Sequence, residues 1–233
     1  YNQEYSRDCE PARGPQSDNY YYQMANHVRR FKGVRERPKA SGPSRIVMDG
    51  SFEDWKDVSP EFRDTIGDTT HRDHPGYGNL VYCNNTGRND FVIAKAAYDR
   101  DHLFFFVQTL DKISPRSDQH WMLLLIDADQ DAETGWLGYD FVVNLELISD
   151  SETTLKRWHH EDWQTVAQAD YRVNGNGMEI QIPRAMLGRA GLRAEFDFHW
   201  ADNIQRFGDV SELGIIGDSA PNRRWNYRFE IAK

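Results

Sequence analysis

The chain has 233 residues, room for one large domain or for a domain with an appendage. Its 28 Lys and Arg stand against 37 Asp and Glu, a formal net charge of -9 that repels polyphosphate and argues against a nucleic-acid partner. Hydrophobic residues make up 39%, and apolar runs such as 122–126 fall far short of the roughly 20 residues a membrane-spanning helix needs, so no membrane span is expected.

The start, Tyr1-Asn2-Gln3, carries neither a Met nor a signal-peptide pattern and reads as a mature or excised chain. Cys9 and Cys83 match no metal or redox spacing, and the sequence is compatible both with one long-range disulfide and with two free thiols. Residues 18–33 predict a helix. Asp18 is placed to cap it, Met24, Ala25, Val28 and Phe31 recur at helical spacing, Arg29 and Arg30 sit near the C-terminal end, and Gly33 can close it. The polar stretch 35–44, with two prolines and a glycine, reads as a linker. The expected organisation is therefore an N-terminal extension over 1–34, a linker over 35–44 and a domain over 45–233.

From residue 45 the period changes. Strands are expected over 46–48, 91–98, 102–110, 121–126, 139–147, 153–158, 163–173, 178–182, 195–200 and 224–231, with a hairpin turn at 99–101, the Asn174-Gly175-Asn176-Gly177 turn, and one helical turn over 184–187 after Pro183. About ten short strands at this spacing point to an all-β, antiparallel, jelly-roll-like sandwich with an N-terminal helical extension. The runs 103–107 and 122–126 are nearly continuous in apolar residues, as expected for central strands.

Four segments carry a resemblance: Met48-Asp49-Gly50-Ser51-Phe52-Glu53-Asp54-Trp55, Tyr98-Asp99-Arg100-Asp101-His102-Leu103-Phe104-Phe105, Ile126-Asp127 with Thr134-Gly135, and Glu179-Ile180-Gln181-Ile182-Pro183. In this order and spacing, residues 45–233 resemble carbohydrate-binding module family 9 and its relatives. The resemblance implies a jelly-roll sandwich, binding of oligo- or polysaccharide, structural calcium, attachment to a glycoside hydrolase in the same parent chain, and an extracellular or periplasmic location. Members of that family clamp a sugar ring between two tryptophans. At the matching places this chain has Pro115-Arg116-Ser117-Asp118 and Asp218-Ser219-Ala220-Pro221, a departure that implies weak binding. Residues 1–33 resemble the end of a glycosidase-type catalytic barrel, and they read equally well as an extension packed on the sandwich.

Asp127, Asp129 and Asp131 alternate directly after a buried strand, and Asp140 follows. Alternate carboxylates in a tight turn can converge hard oxygen ligands on Ca²⁺, and the competing reading is a solvated acidic turn. His71, Asp73 and His74 form a polar loop that is read first as a hydrogen-bonded surface feature, then as a sugar contact, and last as a transition-metal site. For sugar contact the candidates are Trp136, flanked by Gly135 and Gly138, and Trp225, with Arg88, Asn203 and Arg224 as hydrogen-bonding partners near strand ends. Trp136 reads equally as a loop anchor. No nucleophile motif or phosphate-cradling loop is present, and no catalytic residue is assigned. A glycosidase needs only two carboxylates, so an enzyme using groups such as Asp73 and Glu179 stands as an alternative. A spacer domain that packs on a catalytic barrel without binding sugar is the other.

Overall fold

A computed structural model of the chain describes residues 19–34, 38–69, 72–75, 79, 81–118, 120–187, 195–204, 213, 216–222 and 225–231. Among the described residues one α-helix, α1 (Asn19–Lys32), precedes thirteen strands. These are β1 (Glu61–Arg63), β2 (Arg72–Pro75), β3 (Val81–Asn84), β4 (Phe91–Tyr98), β5 (His102–Thr109), β6 (Leu123–Asp127), β7 (Phe141–Leu147), β8 (Glu152–His159), β9 (Asp162–Asn174), β10 (Gly177–Pro183), β11 (Glu195–Asp202), β12 (Asp218–Ala220) and β13 (Tyr227–Glu230). Eleven strands form a single antiparallel sheet in the order β1-β4-β5-β10-β9-β8-β7-β6-β11-β12, with β13 also paired to β11; β2 and β3 form a separate hairpin. No described helix is long and apolar enough to cross a membrane.

The chain is all-β, as expected, and its two layers belong to one sheet curled nearly into a barrel. Aromatic contacts bridge the curl. Phe62 of β1 meets Phe198 of β11 edge-on at 5.4 Å and stacks on Tyr227 of β13 at 4.8 Å, while Phe105 of β5 meets Phe198 at 5.5 Å. The seam where β1 and β4 approach β11, β12 and β13 is thus packed by rings, although no ladder closes it among the described residues.

The continuous apolar runs have a different cause from a two-layer core. Leu103, Phe105 and Val107 enter the main core with Met122, Leu124 and Ile126. The alternate residues point outward and are covered: Phe104 and Phe106 by Ile46, Trp55 and Val58, and Leu123 and Leu125 by Trp136, Tyr139, Ile204 and Leu213. Strands buried on both faces lose the polar alternation that marks a half-buried strand.

Local chemistry fixes the turns. The Asp99 carboxylate accepts from the amides of Asp101 (2.8 Å) and His102 (2.6 Å), which folds the β4–β5 hairpin. Gly175, at φ +59°, begins the two-residue β9–β10 turn, where a left-handed residue is required. The expected strand over 46–48 is not one: Ile46 is buried under the outward face of the sheet and the Val47 amide donates to the Asp54 carboxylate at 3.1 Å. β1, β2, β3 and β12 were not foreseen, because each has only three or four residues and too short a pattern to reveal a period.

The helix is close to its expected span, with Phe31 95% exposed. Residues 40–44 are tied to the sandwich: Ala40 is buried, Ser41 N donates to Ser59 O and Ser59 N to Ser41 Oγ, both at 2.8 Å, and Ser44 N donates to Tyr98 O. Limited proteolysis is therefore expected to release a folded product beginning near Lys39 or Ala40. Cleavage between 41 and 44 with the product still folded would show that these bonds do not hold the segment.

Candidate functional site

Arg88 follows β3 and reaches across the loops. Its Nε donates to Asp202 Oδ2 at 2.7 Å, Nη1 to Asp118 Oδ2 at 2.7 Å and to Ser117 Oγ at 3.0 Å, and Nη2 to Asp118 Oδ1 at 3.3 Å. The guanidinium side chain is 12% exposed and Asp202 is fully covered. Arg88 draws the Asp118 carboxyl down to about 2, whereas burial outweighs Arg88 at Asp202 and raises its pKa. Asp202 Oδ1 also accepts from the Met122 amide at 3.0 Å, so this cluster joins the loop after β3, the approach to β6 and the end of β11. A guanidinium so committed has little left for a sugar hydroxyl.

The other sugar candidates divide. Trp136 is buried at 5% exposure, stacked near Tyr139 at 6.3 Å and tilted against Trp163 at 6.4 Å. It is the loop anchor, with no open face for stacking. Gly135 makes this anchoring possible: it sits at φ +66°, and a methyl there would collide with the Tyr139 carbonyl. Asn203 is also buried, in the left-handed region at φ 64°. Trp225 is half-buried, its carbonyl 2.8 Å from His199 Nδ1. Arg224 and His71 lie outside the described residues. Asp73 is exposed on β2, and His74 Nδ1 lies 3.2 Å from Pro75 O. Cys83 is exposed and free, and Cys9 lies outside the described residues.

Of the four expected calcium ligands the structure brings together Asp127, Asp129 and Asp140, whose ligand oxygens lie within 4.8 Å of one another. Backbone amides hold them: Gln130 N donates to Asp127 at 2.6 Å, Asp131 N to Asp129 at 2.9 Å and Ala128 N to Asp140 at 2.8 Å. Asp131 stays outside this group. Its carboxylate is exposed and accepts from the Glu133 amide at 3.0 Å, because the turn directs it along the loop instead of inward.

Sequence reading missed a second group. Asp64, after β1, and Asp68 converge on Asp218 of β12, again within 4.8 Å. Their spacing of 150 residues and more has no linear signature, and only the curl of the sheet unites them. Burial first, then the Asp68 and Asp90 charges, push Asp64 up to about 7, and burial likewise raises Asp218.

Glu179 is fully buried on β10. Oε1 accepts from the Gly50 amide and Oε2 from Trp55 Nε1, both at 3.0 Å. Two of the segments that carry the family resemblance are thus joined by one carboxylate, which does not reach solvent.

Two open grooves flank these features. One, about 510 Å³, lies between the 50–56 turn and β4, β5 and β10. Its polar walls are largely committed, with Lys95 Nζ on Trp55 O, Asn174 Nδ2 on Gly50 O and Asn176 Nδ2 on Thr109 O. The other, about 580 Å³, opens between residues 112–116 and 147–150. Trp121 and Tyr171 form its floor in an edge-on pair 6.3 Å apart, and their polar tips fix the rims: Trp121 Nε1 donates to Ser114 O at 2.8 Å and Tyr171 Oη to Ser149 O at 3.0 Å. No protein-family model, curated protein or solved structure matches the chain.

Proposed function

We propose that residues 45–233 form a non-catalytic carbohydrate-binding domain of a secreted glycan-degrading protein, extracellular or periplasmic, working beside a catalytic domain of the same parent chain. The observation that carries this reading is the groove over Trp121 and Tyr171. It combines apolar surface from Ile148 and Val173, both partly open to solvent, with the side chains of Lys112, Arg116 and Asp150 on its rim. That mixture suits a ligand with apolar ring faces and hydroxyl edges. The groove also includes Pro115 and Arg116, where the resemblance places one side of the sugar clamp. Asp127, Asp129 and Asp140 are the residues that would hold a structural Ca²⁺, which would brace the loop anchored by Trp136.

Calorimetry of the full chain against neutral, uronic and sulfated oligosaccharides tests the reading. Weak binding is expected to at least one class, and Arg116→Ala is expected to lower affinity roughly fivefold or more, while Trp225→Ala separates a second contact from this groove. Absence of heat with every sugar would overturn the proposal and favour the spacer reading. The inward commitment of Arg88, Asn203 and Trp136 supports that second reading. Release of reducing ends from the same panel would favour an enzyme.

A further inference from the structure

The seam of the curled sheet places buried negative charge where, among the described residues, no positive side chain answers it. Asp64, Asp68 and Asp218 present oxygens within 4.8 Å of one another. Asp218 is 3% exposed, and its Oδ2 accepts from the Phe91 amide at 2.7 Å, a bond that crosses the seam from β12 to β4. Asn222 Nδ2 donates to Asp64 Oδ1 at 3.2 Å. Two of the other oxygens, Asp64 Oδ2 and Asp68 Oδ1, are buried without a hydrogen-bond partner, as is Oδ1 of neighbouring Asp90, whose Oδ2 accepts from the Gly67 amide at 2.8 Å. No Lys, Arg or His pairs with Asp64, Asp68 or Asp218 among the described residues.

A second, independent group aims at the same point. Tyr227 of β13 is 8% exposed, its phenol oxygen has no hydrogen-bond partner, and the three carboxylates that act on it are Asp64, Asp218 and Asp68. The phenol is thus a further buried oxygen, beside the three carboxylates and donating to none of them, that has no partner of its own. Unpaired buried charges of one sign cost several kcal/mol each unless a proton or a counter-charge neutralises them. An all-oxygen donor set selects a hard cation, and the ligand oxygens of one Ca²⁺ lie no more than about 5 Å apart.

We propose that Asp64, Asp68 and Asp218, with the Tyr227 phenol oxygen completing the shell, bind one Ca²⁺ that bolts the seam of the curled sheet. The ion would join the segment after β1 to β12 and β13, strands at opposite ends of the sheet order. This site is separate from the Asp127, Asp129 and Asp140 loop and independent of any sugar.

The full chain, stripped with EDTA, is titrated with CaCl₂ and in parallel with MgCl₂ by calorimetry and by thermal melting. Asp68→Asn is the informative variant, because its unpartnered Oδ1 can be altered without removing a hydrogen bond across the seam. Asp129→Asn serves as the control for the other loop. Calcium is expected to raise the melting temperature of the wild type and of Asp129→Asn by about 5 °C or more at saturation. Asp68→Asn is expected to lose one bound calcium, or at least about tenfold in affinity at one site. The decisive sign is a crossover: in EDTA Asp68→Asn should melt no lower than the wild type, since it removes repulsion, and in calcium it should melt lower. Tyr227→Phe should weaken the same site while Asp129→Asn leaves it intact. Unchanged calcium stoichiometry and affinity in Asp68→Asn, or no calcium uptake by the wild type, would overturn the proposal. Loss confined to Asp129→Asn would do the same and leave calcium in the other loop alone.

Discussion

Replacing Arg88 by Met is expected to lower stability by about 3–5 kcal/mol and the melting temperature by roughly 10 °C, with no loss of sugar affinity at temperatures where the variant is folded. The size follows from what is left behind. Asp202 is fully covered, and without Arg88 its carboxylate keeps only neutral donors, the Met122 amide at 3.0 Å and the Asn89 side chain. Methionine fills the volume and cannot answer the charge. Arg88→Lys should lie between, because one ammonium cannot reproduce the fork that holds Asp118 and Asp202 together. Adding Asp202→Asn to Arg88→Met should restore a good part of the loss, since an amide retains an acceptor for Met122 and removes the stranded charge; the double-mutant cycle measures this coupling.

The acid limb gives a second readout of the same cluster. The Asp118 carboxyl in the folded chain is drawn to about 2 from its ordinary 3.8, so between these values the unfolded chain binds the proton more readily. This contribution is present above about pH 4 and lost as pH falls toward 2. Arg88→Met should flatten that part of the profile. A variant that melts within 1–2 °C of the wild type would show that water or another residue satisfies Asp202 and that the cluster is not a clamp.

The fold was legible wherever a pattern could repeat. β4, β5, β9 and β10 each run for seven residues or more and are joined by turns whose side chains announce themselves, such as Asp99 and Gly175. Chemistry was less legible, because composition near a strand end does not say which way a side chain is committed. Arg88 and Trp136 have the residue types of a sugar site, yet one is consumed by two aspartates and the other by the packing of Tyr139 and Trp163. Asp127, Asp129 and Asp140 could be found since they share one loop, whereas Asp64, Asp68 and Asp218 meet only through closure of the sheet. Sequence spacing reports local convergence and is silent about convergence that topology creates.

Glu179→Ala is expected to cost about 2–5 kcal/mol, because it strands two donors at once, the Gly50 amide and the Trp55 indole N–H. Those donors belong to the segment that covers Phe104 and Phe106, with Trp55 1% exposed and stacked on Phe106 at 5.4 Å. The loss should therefore appear as loosening of residues 46–58: faster amide exchange there and a red-shifted tryptophan component, ahead of global unfolding. Glu179→Gln is the sharper variant. It preserves shape but turns one acceptor into a donor facing either Gly50 N or Trp55 Nε1, so it should still destabilise, by less than Ala if the loop can shift. Burial raises the Glu179 carboxyl above its ordinary 4.5 despite both hydrogen bonds. Its folded-state pKa is therefore the higher one, and its contribution is greatest below 4.5 and declines as pH rises through the shifted value. Glu179→Gln should remove that decline while leaving the Asp118 acid limb in place. The same variant decides against a chemical role. If the chain were found to cleave a glycan, a well-folded Glu179→Gln should retain the activity, because the carboxylate is fully covered and both of its oxygens are held. Abolished cleavage in a protein whose melting and amide exchange matched the wild type would mean that Glu179 acts on a substrate and that its place as the clamp of the 46–58 segment is wrong.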